Sequence, residues 1–170
     1  MGFKWIGAIL IIASCSGCGF SVAAGKRREE RLFYQLMEIL QFMESELQYR
    51  LTPLPDLCRM AAGESKGILQ TVFINLFREL SWQKLPDAGS CMYAALQRSG
   101  DIPVRVRRLL VQLGHTLGRF DLSGQLQGIR EVGKRCEESI QHIHKNKDER
   151  LRAYQTLGIC AGAALAIILV

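Results

Sequence analysis

The sequence predicts an all-α protein, a bundle of about six helices flanked by N- and C-terminal transmembrane helices. Three observations lead there. Both ends of the 170-residue chain are apolar and uncharged, over Trp5–Ala24 and Ala153–Val170, and every acidic residue lies between them. At 1.5 Å per residue these stretches make helices of roughly 30 and 27 Å, close to the hydrocarbon thickness of a bilayer. Between them, apolar residues recur three and four positions apart, and no alternating run is long enough for a strand. Proline- and glycine-containing restarts separate the periodic stretches. The expected organisation is an anchor over 1–25, a helical-bundle domain over 26–152 and a second span over 153–170.

Charge orients the anchors. The net charge is +6, and its cations gather beside the apolar ends: Lys26, Arg27 and Arg28 follow the first, and Lys145, Lys147, Arg150 and Arg152 precede the second. Only Lys4 precedes the first stretch. The positive-inside bias then places the middle domain in the cytoplasm and both termini outside. Cations beside a span also hold anionic headgroups, at about 1 kcal/mol each. The basic balance is therefore assigned to membrane lipid, not to nucleic acid. A rival reading starts from Ile12-Ala13-Ser14-Cys15, which has the form of a lipoprotein cleavage box and would put a lipid on Cys15 and the domain outside. The apolar run continues past it to Ala24 and meets three basic residues, which favours an uncleaved anchor. Gly158, Gly162 and Ala166 line one face of the second stretch with small residues, and Ala13 and Gly17 do so in the first. Helices in lipid associate by close packing, so these faces are expected contact surfaces.

The middle is read element by element. A first helix is expected from about Glu29 to Arg50, with Leu32, Leu36, Ile39, Leu40, Met43 and Leu47 on one stripe. Thr52-Pro53-Leu54-Pro55 breaks it; Thr52 is the expected cap and Pro53 the first helical residue of a short helix to Ala62, with Gly63 at its left-handed exit. Lys66 to about Trp82 follows, turning Leu69, Val72, Phe73, Leu76, Phe77 and Leu80 inward. Pro86-Asp87-Ala88-Gly89 reads as a turn before a short helix with Met92, Ala95 and Leu96. After Gly100-Asp101-Ile102-Pro103, a helix carries Val106, Leu109, Leu110, Leu113 and Leu117, and Gly118 ends it. Asp121 is the expected cap of the last helix, whose Leu122, Leu126, Ile129, Gly133, Cys136, Ile140 and Ile143 form a heptad seam. That seam suits packing along the bundle or dimerisation. No strong stop lies between Asp121 and Val170, so the helix is expected to run on into the membrane as one rod.

The residues carry little sign of catalysis. His142 and His144 are two apart and point to different faces, and His115 sits near a helix end; none makes a metal pair, and all three are read as solvated or capping. There is no glycine-rich phosphate loop, nucleophile motif or cofactor signature. Cys15-x-x-Cys18 has redox spacing but lies in the apolar stretch, and Cys58, Cys91 and Cys136 are expected to be free, buried thiols of a reducing compartment. Glu29-Glu30, Glu44 with Glu46 and Glu137-Glu138 read as solvated helix faces. Arg105, Arg107 and Arg108, with Arg119 beside them, are the candidate partner-binding residues. Gly118, Asp121 and Gln125 are expected to build a structural corner.

Three stretches carry a resemblance: Thr52-Pro53-Leu54-Pro55, the run Leu117-Gly118-Arg119-Phe120-Asp121-Leu122-Ser123-Gly124-Gln125, and Tyr154-Gln155-Thr156-Leu157-Gly158 leading into the last stretch. With an N-terminal span and a basic exit, the chain resembles, over its whole length, the stage III sporulation protein AB family of endospore-forming bacteria. One departure is Met92-Tyr93-Ala94-Ala95-Leu96, where the family tends to carry a Trp-Ala-Leu-like element. The resemblance implies a soluble domain similar to the helical domain of the inner-membrane platform protein of type II secretion machines. It also implies a place in the mother-cell membrane, in a complex joined to a channel between mother cell and forespore. The implied partners are a secretion-type ATPase, stage III sporulation protein AA, and other members of that complex. The family carries no catalytic residues to transfer. Two other function classes stay open, an outward-facing lipoprotein-like adaptor and an enzyme acting on lipid or cell-wall intermediates at the membrane surface.

Overall fold

The computed structural model describes residues 2–83, 85–118 and 121–169, with side chains at Gly25 and over residues 27–83, 85–118 and 121–145. It has six helices: α1 (Gly2–Arg50), α2 (Leu54–Glu64), α3 (Ile68–Trp82), α4 (Ala88–Gln97), α5 (Val104–Thr116) and α6 (Leu122–Leu169). No strand occurs among the described residues. Each of α1 to α6 packs on its sequence neighbour, and α6 returns against α1 to close the ring around one core.

The expected stripes fill that core. Leu36 and Met43 of α1, Leu69, Val72, Phe73 and Leu76 of α3, Met92 and Ala95 of α4, and Val106, Leu110 and Leu113 of α5 are wholly enclosed. Phe77 and Leu80 are only partly covered. The Met92–Leu96 element packs with Met92, Ala95 and Leu96 inward and Tyr93 outward. The seam of α6 faces the same core, with Ile129, Cys136, Ile140 and Ile143 buried and Val132 beside them. That seam is occupied within the chain, mostly by α1.

Several boundaries move, each for a local reason. α1 begins at Gly2, not near Glu29. Between Ala24 and Glu29 only Gly25 opposes a helix, at about 1 kcal/mol. Thr52 does not cap α2: its hydroxyl donates to Glu46 Oε2, Pro53 takes the cap position with φ −57°, and Leu54 is the first helical residue. Gly63 lies inside α2, which runs on to Glu64; the Ser65 hydroxyl donates to the Ala62 carbonyl, and the positive φ falls at Gly67 (61°). α3 accordingly starts at Ile68, not Lys66. In the expected turn at Pro86–Gly89, Asp87 is already the cap of α4, accepting from the Ser90 amide at 2.7 Å.

α1 and α6 run antiparallel. Glu30 meets His144 and Glu44 meets Arg130, so equal steps up α1 and down α6 keep the two helices in one register. Both continue without a break past the bundle, to Gly2 and to Leu169. Among the residues whose side chains are described no helix is long and apolar enough to cross a membrane, and the apolar ends expected as spans lie outside them. The expected packing residues Gly158, Gly162 and Ala166, and Cys15, Cys18 and Cys160, lie outside the residues whose side chains are described.

Candidate functional site

The arginines of α5 lie at its first turns. Val106, Leu109, Leu110 and Leu113 bind the helix to the core, which leaves Arg105 and Arg108 exposed and Arg107 half-buried. Arg107 Nε is buried with no hydrogen-bond partner among the described residues. No acidic residue occupies the first turn, and Pro103 supplies no side-chain cap. Cations at a helix N-terminus oppose the macrodipole. This cluster therefore sits where helix stability would not have chosen it.

Two contacts locate that end of α5. The Arg28 guanidinium donates to the Asp101 carbonyl at 3.5 Å, just before α5. Further along, Arg135 donates to Gln112 Oε1, and Gly128 lies against Thr116. α5 is thus antiparallel to α6, and its arginines belong to the end of the bundle where α1 enters and α6 leaves. Arg119 lies outside the described residues; its neighbour Gly118 follows the opposite end of α5.

A polar group that the sequence reading missed stands at the same end. His144 Nε2 lies 2.9 Å from Glu30 Oε1 and 3.4 Å from the Tyr34 hydroxyl, joining α6 to α1. A shallow recess beside it is lined by Arg27, Glu30, Arg31 and Tyr34. His144 was expected to be solvated or capping, yet no residue spacing links it to a carboxylate more than 100 positions away. Other acids expected on solvated faces are also engaged. Glu46 is 8% exposed and pairs with Arg50, and Glu44 pairs with Arg130. Glu79, which the sequence did not single out, is 5% exposed on α3 and pairs with Arg98 at 2.6 Å.

The opposite end holds the corner. Gly118 has φ +76°, a region that disfavours a side chain. Asp121 Oδ1 accepts from the Gly124 amide at 3.1 Å, its Oδ2 accepts from the Ser123 hydroxyl at 2.7 Å, and its carbonyl accepts from the Gln125 amide. The Ser123 hydroxyl first, and the Gly124 amide next, hold the Asp121 carboxyl below its ordinary pKa.

Nothing among the described residues assembles a reaction centre. No group of His, Cys, Asp and Glu there is placed to hold a metal. Cys58, Cys91 and Cys136 are free and buried. Burial pushes the Cys58 and Cys136 thiols up to about 12, with Cys91 adding to the effect at Cys58. Such thiols are poor nucleophiles at neutral pH. The arrangement offers charge, shape and two long helices.

Comparison with known proteins matches the same elements. A family model described as stage III sporulation protein AB matches residues 4–170. The stage III sporulation protein AB of Bacillus subtilis (strain 168) is 25% identical over 169 residues, covering 98% of each chain. A solved structure of a stage III sporulation protein AB superposes with a TM-score of 0.63 at 22% identity, over 72% of this chain and 98% of that one.

Proposed function

Because the chain belongs to the stage III sporulation protein AB family, we propose that it is a non-catalytic membrane scaffold in endospore formation. It serves a complex joining mother cell and forespore, and it docks a secretion-type ATPase, stage III sporulation protein AA, on the cytoplasmic side. The two apolar ends are the membrane spans, and the bundle over residues 26–152 is the docking body. The observation that carries this reading is the continuity of α1 and α6, each of which joins an apolar end to the bundle without a break. A helix without a joint transmits position along its length, whereas a flexible linker would lose it. A scaffold needs that property and no reaction centre.

Two experiments test the reading. The tagged full-length chain, recovered from sporulating cells in mild detergent, is expected to bring the ATPase with it. Recovery of other complex members without the ATPase would overturn the docking assignment. Protease added to intact mother cells is expected to spare the bundle; digestion of the bundle would reverse the topology.

A further inference from the structure

We propose that the end of the bundle where α1 enters and α6 leaves is a docking face for the surface of an anionic bilayer. Arg27, Arg28 and Arg31 of α1, Arg105 of α5 and Lys145 of α6 would meet lipid phosphate, and Val104 would meet the interface. The proposal rests on the reading of the chain ends as membrane spans, and goes beyond it by giving α5 a place on the bilayer.

Three separate elements converge there. The Arg28–Asp101 contact brings the start of α5 to α1, and the His144–Glu30 contact brings α6 to the same level. Among the described residues none of Arg27, Arg28, Arg31, Arg105, Arg107 and Arg108 pairs with a carboxylate, nor does Arg78 of α3, whereas Arg50, Arg59, Arg98, Arg130 and Arg135 all do. Among the residues whose side chains are described, the acids at this end are Glu29, Glu30 and Asp101, and Glu30 is engaged by His144; Asp148 and Glu149 of α6, like Lys26, Lys147, Arg150 and Arg152, lie outside those residues. The described cations outnumber the described acids and are not neutralised within the fold. Val104, at the tip of α5, is 71% exposed beside the buried Ile102. An exposed apolar residue beside arginines suits the outer part of the headgroup layer.

Distance decides which residues reach. With Asp101 beside Arg28, Val104 stands level with about the sixth residue after Gly25, roughly 9 Å along α1. The headgroup layer adds roughly 5–8 Å to each side of the hydrocarbon core. Val104 therefore comes to its edge, and the long side chain of Arg105 covers the remainder. Arg108 is a turn deeper and acts through space, within a Debye length of about 8 Å. The N-terminus of α5 faces the same way, so its dipole adds to the positive potential. An acidic protein surface would satisfy the same charges. Continuity with the two apolar ends favours lipid, because the spans already hold this face against the bilayer.

The test uses the full-length chain with p-benzoylphenylalanine in place of Val104, reconstituted in phosphatidylcholine vesicles with or without one part in three phosphatidylglycerol. Mass spectrometry then reads lipid adducts after illumination. Adducts are expected at position 104, enriched by phosphatidylglycerol, and not with the same group in place of Tyr49 at the far end of the bundle. Arg105→Glu with Arg108→Glu should lower the adduct yield at least about fivefold, the factor expected for one surface arginine. The same variant should leave the melting temperature unchanged or raise it, since acids suit a helix N-terminus. A purely structural role for the arginines predicts the opposite. Equal adducts at 104 and 49, or adducts indifferent to phosphatidylglycerol and to charge reversal, would overturn the proposal. Loss of ATPase recovery in the charge-reversed chain, with no lipid adducts at 104, would assign the face to protein. Carbonate extraction of the same vesicles reads the spans separately. A chain that resists extraction yet gives no adducts sinks the docking face alone, and an extractable chain sinks the spans, while the adducts still decide the face.

Discussion

At the residue scale, the informative positions are those where a side chain has no room or no water. A Cβ on Gly114 would stand 2.5 Å from Met92 Cβ, which shows how closely α5 crosses α4. Gly114→Ala is expected to destabilise the bundle by about 1–3 kcal/mol, read as a lower urea midpoint at unchanged slope. Asp121 makes its contribution as a carboxylate. Its pKa is lowered in the fold, so that contribution is present above the unfolded value of about 3.9 and disappears as pH falls through the folded value. Asp121→Ala should lower the urea midpoint at pH 7, and the gap to the parent chain should close as the pH is taken down through the folded value. The thiols run the other way. Cys58 and Cys136 stay protonated until about 12, so iodoacetamide at pH 8 should label neither in the folded chain and both in urea, as peptide mapping would read. These buried thiols were legible from cysteine spacing and composition. The Glu79–Arg98 and Glu30–His144 pairs were not, because a charged residue on a helix reads as solvated until the partner element is known.

At the element scale, periodicity found all six helices and most of the core, because a stripe at spacings of three and four has one way to be buried, but it passed over Phe33, Val132 and the whole inner face of α2 at Leu57, Ala61 and Ala62. What it missed were ends. Helix limits at Pro53, Ser65 and Asp87 depend on which side chain reaches which backbone group, a choice made over two or three residues. The heptad seam of α6 could serve two partners by its pattern alone; the antiparallel run against α1 settles its place in the fold. One position in that seam is under-used. Gly133 faces a groove lined by Met37, Leu40 and Ile129, and a Cβ there would meet nothing within 4 Å. Gly133→Ala should stabilise the chain by about 0.5–1 kcal/mol through helix propensity, seen as a higher urea midpoint. A loss of stability would show that the groove needs to stay open.

At the scale of the whole molecule, one core joins all six helices, so the bundle should melt as a unit. In detergent, a Trp5→Phe chain should give coincident urea transitions by Trp82 fluorescence and by helical circular dichroism over the steep part of the curve. Separate midpoints would mean that the α2–α3 side opens on its own. Fold class was legible in the sequence, and family membership follows from the match over nearly the full length. The cationic end was legible only in fragments. Arg27 and Arg105 are far apart in the chain, and the return of α5 along α6 puts them at the same end of the bundle. That return also governs how the body is held. A mass on one stalk can swivel about it; a mass on two adjacent parallel posts cannot. On the proposed reading of the two ends as spans, α1 and α6 leaving the same end side by side give the bundle a defined azimuth as well as a height. Under that reading every copy of the chain in one membrane turns the same flank toward a given side of its two posts.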